Sequence, residues 1–273
     1  MDAHDDEHAL RANPAFVTSA DGTRIAVDRF GDGPPLIVVG GILCDRRRTR
    51  PLAEALGRHC SVINVDRRGR GDSCDTAPYA VAREVEVLAA AIELAGGRAA
   101  LYGHSSGAGL ALHAAAHGLP ITHLVLHEPP YGADDEASTR GARELAQGVV
   151  DALNAQRPAD AISGFMTAAG VPPEMVEGMV SDPSILAMAP TMRYDIEVMG
   201  ELRQGGTLPE DLVRAVTVPT LVIGGGASPD FFRDTASRIA SLLPGAKYVM
   251  LEGQDHGAAP EFVAPVVADF VKT

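Results

Sequence analysis

Two rhythms of apolar and polar positions alternate along most of this chain. Short apolar runs bounded by Gly, Pro or Asp read as strands, and longer stretches with apolar residues at helical spacing separate them. Phe16-Val17-Thr18 and Arg24–Phe30 flank the hairpin signal Asp21-Gly22. Leu36-Ile37-Val38-Val39 is apolar without interruption, the pattern of a strand covered on both faces of a parallel sheet. Similar runs recur at 61–66, 99–102, 122–126, 218–224 and 246–251. Helical periodicity fills 78–94, 108–117, 231–243 and 261–271. Strand–helix alternation with short links predicts an α/β fold: a mostly parallel central sheet covered by helices on both faces. Between Gly132 and Val216 the strand rhythm stops, and helical pieces such as 142–155 and 159–168 alternate with Pro, Gly and Asp breaks. The expected organisation is a flexible tail at 1–13, a core made of 14–131 and 217–273, and an inserted helical cap at 132–216.

Composition narrows the partners. The chain has 273 residues, 46% of them hydrophobic, enough for one large, well-buried α/β domain with an insertion. Lys plus Arg number 23 against 36 for Asp plus Glu, a formal charge of -13 that argues against nucleic acid and anionic membranes as partners. No apolar run approaches the ~18 residues of a membrane span. The acidic start, residues 1–8, lacks the basic-then-apolar pattern of a signal peptide, so the expected location is cytoplasmic. Cys44, Cys60 and Cys74 form an odd set without metal-ligand spacing and are expected as small buried or half-buried apolar residues in a reduced setting. Gly224-Gly225-Gly226 lacks the G-x-G-x-x-G of a dinucleotide site. The expectation is a small-molecule substrate with no metal and no cofactor, and a homodimer is left open.

The chemistry centres on Gly103-His104-Ser105-Ser106-Gly107, a G-x-S-x-G between an apolar run and a small-residue helical stretch. A serine presented above a sheet edge needs a strained strand-to-helix turn, and glycines on either side remove side chains that would collide there. Ser105 then stands at a helix N-terminus, where free N–H groups and the dipole favour a developing oxyanion. Ser105 is read as a nucleophile.

From Phe16 onward this assembly resembles the α/β-hydrolase superfamily. The matching segments are Gly40-Gly41-Ile42 after the third strand, Asp66-Arg67-Arg68-Gly69-Arg70-Gly71-Asp72-Ser73 after the fourth, the elbow Gly103–Gly107, and His256 after the last strand. Gly40 stands where family members usually carry a histidine. The resemblance implies a serine hydrolase that cleaves a carboxylic ester or lactone of a small apolar substrate through an acyl-enzyme. The alternatives are a thioesterase, a carbon–carbon bond hydrolase with the same triad, or a non-hydrolytic lyase or binding member of the fold.

The resemblance also distributes roles. Of nine histidines, His256 alone lies in the loop that returns to the elbow, so it is the expected base, and His104 is expected to point away as packing. Backbone N–H groups of Ser106 and of Ile42 or Gly41 are the expected oxyanion hole. The acid is less regular. The usual position after the seventh strand holds Ser228, and Asp230 two residues on is the alternative, with a competing use as a helix cap. The other family location, the end of the sixth strand, holds Glu128. That placement resembles haloalkane dehalogenases and, with a serine nucleophile, zearalenone-type lactonases, and it makes Glu128 the expected partner of His256. Arg46-Arg47-Arg48 and Arg50 are expected on a solvated face. Met166, Met188, Met192 and Tyr194 are candidates for a Met-rich pocket lining, although their helical spacing favours plain core packing for any one of them.

Overall fold

The computed structural model describes residues 13–273, so the expected tail lies outside the described residues except at Asn13. Eight strands form one sheet: β1 (Asn13–Thr18), β2 (Arg24–Phe30), β3 (Pro35–Val39), β4 (Ser61–Val65), β5 (Ala99–His104), β6 (Ile121–His127), β7 (Thr220–Gly225) and β8 (Lys247–Leu251). Their spatial order is β1-β2-β4-β3-β5-β6-β7-β8. β1 and β2 are antiparallel, and every pairing from β4 to β8 is parallel. Helices α1 (Arg46–Gly57), α2 (Val81–Leu94) and α3 (Ser106–Ala116) cross between the early strands.

The period of two along each strand builds the two covered faces. Ile37, Val39, Leu101 and Leu126 pack with α2 and α3 on one side, whereas Leu36, Val38, Ala100 and Val125 pack with α1 on the other. Both rows are buried, which is why these segments read as unbroken apolar runs.

Between β6 and β7 the chain is helical: α4 (Glu136–Asn154), α5 (Pro158–Ala168), α6 (Pro173–Ser181), α7 (Pro183–Met188), a tight turn at Ala189–Thr191, α8 (Met192–Met199), α9 (Glu201–Gln204) and α10 (Glu210–Arg214). α11 (Asp230–Leu242) and α12 (Pro260–Val271) complete the chain around β8. The insertion has its own apolar core of Ala146, Val149, Ile162, Met166, Met188 and Met192, into which Leu43 from the loop after β3 is packed. No helix among the described residues is long and apolar enough to cross a membrane.

Three expectations are corrected here. Arg46 is buried rather than solvated, because Asp28, Asp66 and Asp72 surround its guanidinium. A charge run read along the sequence cannot show that the first arginine of a helix turns inward. Asp230 does not cap α11: Pro229 occupies the cap position, and Asp230 is the exposed first helical residue, paired with Arg233. Cys74 is exposed, while Cys60 is buried and Cys44 half-buried.

Candidate active site

β5 ends in the elbow. Ser105 adopts φ 57° and ψ -128°, and although it occupies the cap position of α3 its side chain caps nothing, which leaves the hydroxyl available. The turn is held by the Ser105 N–H, which donates to the His127 carbonyl of β6 at 2.9 Å. The small residues are sterically required: a Cβ on Gly103 would lie 2.3 Å from the Gly107 carbonyl oxygen. Beside the elbow runs the loop after β3. A Cβ on Gly41 would stand 2.7 Å from Ser105 Cβ and 3.2 Å from its Oγ, so glycine allows that backbone to lie against the serine. Gly41 thus lies against Ser105, with Ile42 next to it in the loop and Ser106 next in the elbow. Leu43 follows at φ 53° and carries the loop into the apolar core of the insertion.

Glu128 follows β6 directly, again with a positive φ, 47°. Its N–H donates to the Ile223 carbonyl, which places the carboxylate between β6 and β7. The side chain is 0% exposed, and its oxygens are divided between two partners. Oε1 accepts from the Gly225 N–H at 2.6 Å, and Oε2 is 2.7 Å from His256 Nδ1. Burial opposes ionisation of Glu128, but the His256 hydrogen bond, the Ser228 hydroxyl and the Gly225 N–H outweigh it and hold the carboxyl below its usual range. Ser228 is buried beside the carboxylate and acts without a well-aligned hydrogen bond. Asp230 does not join the group; its partner is Arg233.

His256 is held from several sides. Glu128 takes one edge, Phe232 stacks on the ring at 4.4 Å and 21°, and His104 Nε2 reaches the His256 backbone carbonyl at 2.8 Å. A carbonyl only accepts, so His104 carries its proton on Nε2. Burial, with His256 nearby, pushes His104 down to about 3, and the ring stays neutral in any working range. His104 thus does more than the packing expected of it; the G-x-S-x-G pattern gives its position and no hint of its partner. The Ser105 hydroxyl and His256 are not hydrogen-bonded in this arrangement, and such bonds commonly tighten only when substrate is present.

The candidate lining residues take the core role that their spacing favoured, apart from Tyr194. Met166, Met188 and Met192 fill the core of the insertion, and Tyr194 stacks on Tyr79 with ring centroids 3.8 Å apart. Ile42, in the loop after β3, packs against that apolar core. Chemically, the group offers a free hydroxyl at a helix start, an imidazole with a fixed Nδ1 partner, and backbone N–H groups on a glycine loop.

Comparison with known proteins agrees with this architecture. The model of the Alpha/beta hydrolase family matches residues 36–269. A crystal structure of an alpha/beta hydrolase from Sphaerobacter thermophilus is similar at 47% identity and TM-score 0.84, covering 94% of this chain and 99% of that one. The 2-(acetamidomethylene)succinate hydrolase of Mesorhizobium japonicum is 28% identical over 267 residues, covering 88% of this chain and 89% of that protein. N-formylmaleamate deformylase of Pseudomonas putida is 39% identical over 119 residues, 41% of this chain and 44% of that protein.

Proposed function

The chain belongs to the α/β-hydrolase family, and from that premise we propose that it is a serine hydrolase in which Ser105, His256 and Glu128 form the triad. Ser105 Oγ attacks the carbonyl carbon of an ester or lactone while His256 Nε2 takes its proton, and Glu128 holds the imidazole with its other proton on Nδ1. The oxyanion is received by the Ser106 N–H and an N–H of Gly41 or Ile42. His256 returns the proton to the leaving alcohol, and water activated by the same base then frees the acid. The helical insertion serves as a cap over the acyl group.

The observation that carries this reading is the 2.7 Å contact between His256 Nδ1 and a buried, ionised Glu128 within the loops that surround an uncapped serine. An uncharged, aliphatic acyl group is favoured. Ile42 packs into an apolar cluster, and the buried arginines nearby are each engaged by carboxylates: Arg67 by Glu84 and Asp195, Arg68 by Asp21, Arg70 by Asp195.

A second reading comes from the relatives, whose names specify N-formyl and acetamido substrates: the same triad would then cleave an acyl carbon–nitrogen bond. One experiment tests the activated serine under either reading. A fluorophosphonate probe should label Ser105, and Ser105→Ala should lose both labelling and turnover of p-nitrophenyl butyrate. Labelling that maps to Ser106 or persists in the variant refutes the assignment. A profile of p-nitrophenyl esters against N-formyl and N-acetyl amides then separates the two bonds.

A further inference from the structure

Five buried side chains from four parts of the chain meet behind the loop after β3. Arg67 and Arg70 come from the segment after β4, Glu84 from α2, Ser106 from the elbow and Asp195 from α8 of the insertion. Asp195 is 3% exposed and receives three donors. Ser106 Oγ donates to Oδ1 at 2.7 Å, Arg67 Nη1 to Oδ1 at 2.6 Å, and Arg70 Nη2 to Oδ2 at 2.5 Å. Arg70 continues outward: its Nη1 donates to the Gly41 carbonyl at 2.6 Å and its Nε to Thr191 Oγ1 at 3.0 Å. Glu84 balances Arg67 from behind at 2.6 Å.

The connectivity is specific. Ser106 and the Gly41–Ile42 segment are the two sources of N–H groups assigned above to the oxyanion hole. One grips Asp195 directly, and the other reaches it through Arg70. We propose that Asp195 and Arg70 are positioning residues that fix the spacing between the two halves of the oxyanion hole, and that seating α8 of the insertion completes that hole. The inference rests on the serine-hydrolase reading.

Physical reasons favour a positioning role over a stabilising one. Packed apolar residues of similar volume often serve stability as well as a buried ion cluster or better, so such a cluster is weak evidence of a purely structural function. Donors in an oxyanion hole, by contrast, act only when aimed at where charge develops, and a rigid polar brace supplies that aim. Burial opposes the charge on Asp195, yet Arg70, Arg67 and the Ser106 hydroxyl hold its carboxyl below the usual range. Because Asp195 belongs to the insertion, lifting α8 would leave Arg67 and Arg70 short of a counter-charge and release both halves of the hole together.

The test uses Ser106→Ala, which leaves the backbone N–H and both arginine contacts in place, with Asp195→Asn as the stronger perturbation. The readouts are kcat and KM for p-nitrophenyl butyrate, the inhibition constant of phenylboronic acid as a tetrahedral mimic, and Tm. Removing a donor outright costs about 100- to 1000-fold, so mis-aiming one should cost less. Ser106→Ala is expected to lower kcat about tenfold and boronate affinity in proportion, with KM within about twofold, since only transition-state binding is affected. Asp195→Asn should fall further along the same line, and if it does not fold, Ser106→Ala decides alone. Wild-type kcat and boronate affinity in Ser106→Ala overturn the brace, even if Tm falls. A wild-type chain inert to p-nitrophenyl butyrate and to the fluorophosphonate probe overturns the serine-hydrolase reading, and the brace with it.

Discussion

Replacing Glu128 by glutamine keeps the shape of the side chain and removes one of its two acceptors. Oε1 accepts from the Gly225 N–H and Oε2 from His256, both from a position that is 0% exposed, so no water is available to substitute. If the amide oxygen keeps Gly225, its NH2 faces His256 Nδ1. That nitrogen must then be the acceptor, which moves the ring proton to Nε2, the atom that should receive the proton of Ser105. Amidating a triad carboxylate in this way costs about four orders of magnitude in kcat, or about 5.5 kcal/mol of barrier at 1.36 kcal/mol per tenfold. If the amide turns the other way, the Gly225 N–H loses its partner, at about 1–3 kcal/mol for an unsatisfied buried donor. For a chain of this size that is a fall in Tm of about 2–5 °C. Glu128→Gln should therefore lower kcat on p-nitrophenyl butyrate by about 1000- to 10,000-fold, with a modest loss of Tm measured alongside. Asp230→Asn is the companion: its carboxylate is exposed and paired with Arg233, so both kcat and Tm should match wild type. A large loss of turnover in Asp230→Asn, with Glu128→Gln near wild type, would refute the reasoning.

Three further outcomes follow from the same geometry. Gly41→Ala inserts a methyl 2.7 Å from Ser105 Cβ and 3.1 Å from the His104 carbonyl oxygen, so the loop must retreat, and kcat/KM should fall about 100-fold with an unchanged circular dichroism spectrum. Because the folded-state pKa of Glu128 is depressed, its contribution to stability is present above the ordinary glutamate range and lost as pH falls through the lowered value. A plot of Tm against pH should accordingly have a shallower acid limb in Glu128→Gln, and superimposable limbs would contradict this. Arg46→Met leaves the buried Asp66 without its guanidinium and should cost about 3–5 kcal/mol at neutral pH by urea unfolding. The loss should shrink in acid, where Asp66, raised by burial against its hydrogen bonds, takes up a proton.

Much of the fold was legible because parallel strands buried on both faces have only one way to appear in sequence. Leu36–Val39 reads as one apolar run since Leu36 and Val38 serve one face and Ile37 and Val39 the other. Strand ends were less legible: β6 continues to His127, because its last residues exchange bonds with β5 and β7 that no local propensity announces. Within the insertion, the spacing of Met166, Met188 and Met192 favoured core packing over a pocket lining, and they do fill the core. Helical periodicity says that a face is covered, and the partner can be a substrate cavity or, as here, neighbouring helices.

The polar contacts were the least legible, and the reason is distance along the chain. His104 meets the His256 carbonyl across 152 positions, Arg70 meets Asp195 across 125, and Glu128 meets His256 across 128. Spacing arguments reach only a few residues, so Glu128 was inferred from family layout and from the serine at 228, and Asp195 not at all. Backbone strain is equally silent in sequence. Of the four non-glycine residues with positive φ among those described, Leu43, Ser105 and Glu128 all belong to this site, and only Gln156 lies elsewhere. Each such conformation costs of order 1–3 kcal/mol, and glycine would relieve it. At Glu128 glycine would remove the carboxylate that meets His256, and at Ser105 the hydroxyl of the proposed nucleophile. At Leu43 it would free the loop from the apolar core of the insertion. The fold therefore tolerates strain at the three points where a side chain must stand at the sheet edge, and recovers the cost through the buried pairings around them. That distribution is expected of a site kept for chemistry, and it would be hard to account for in a domain kept for stability alone.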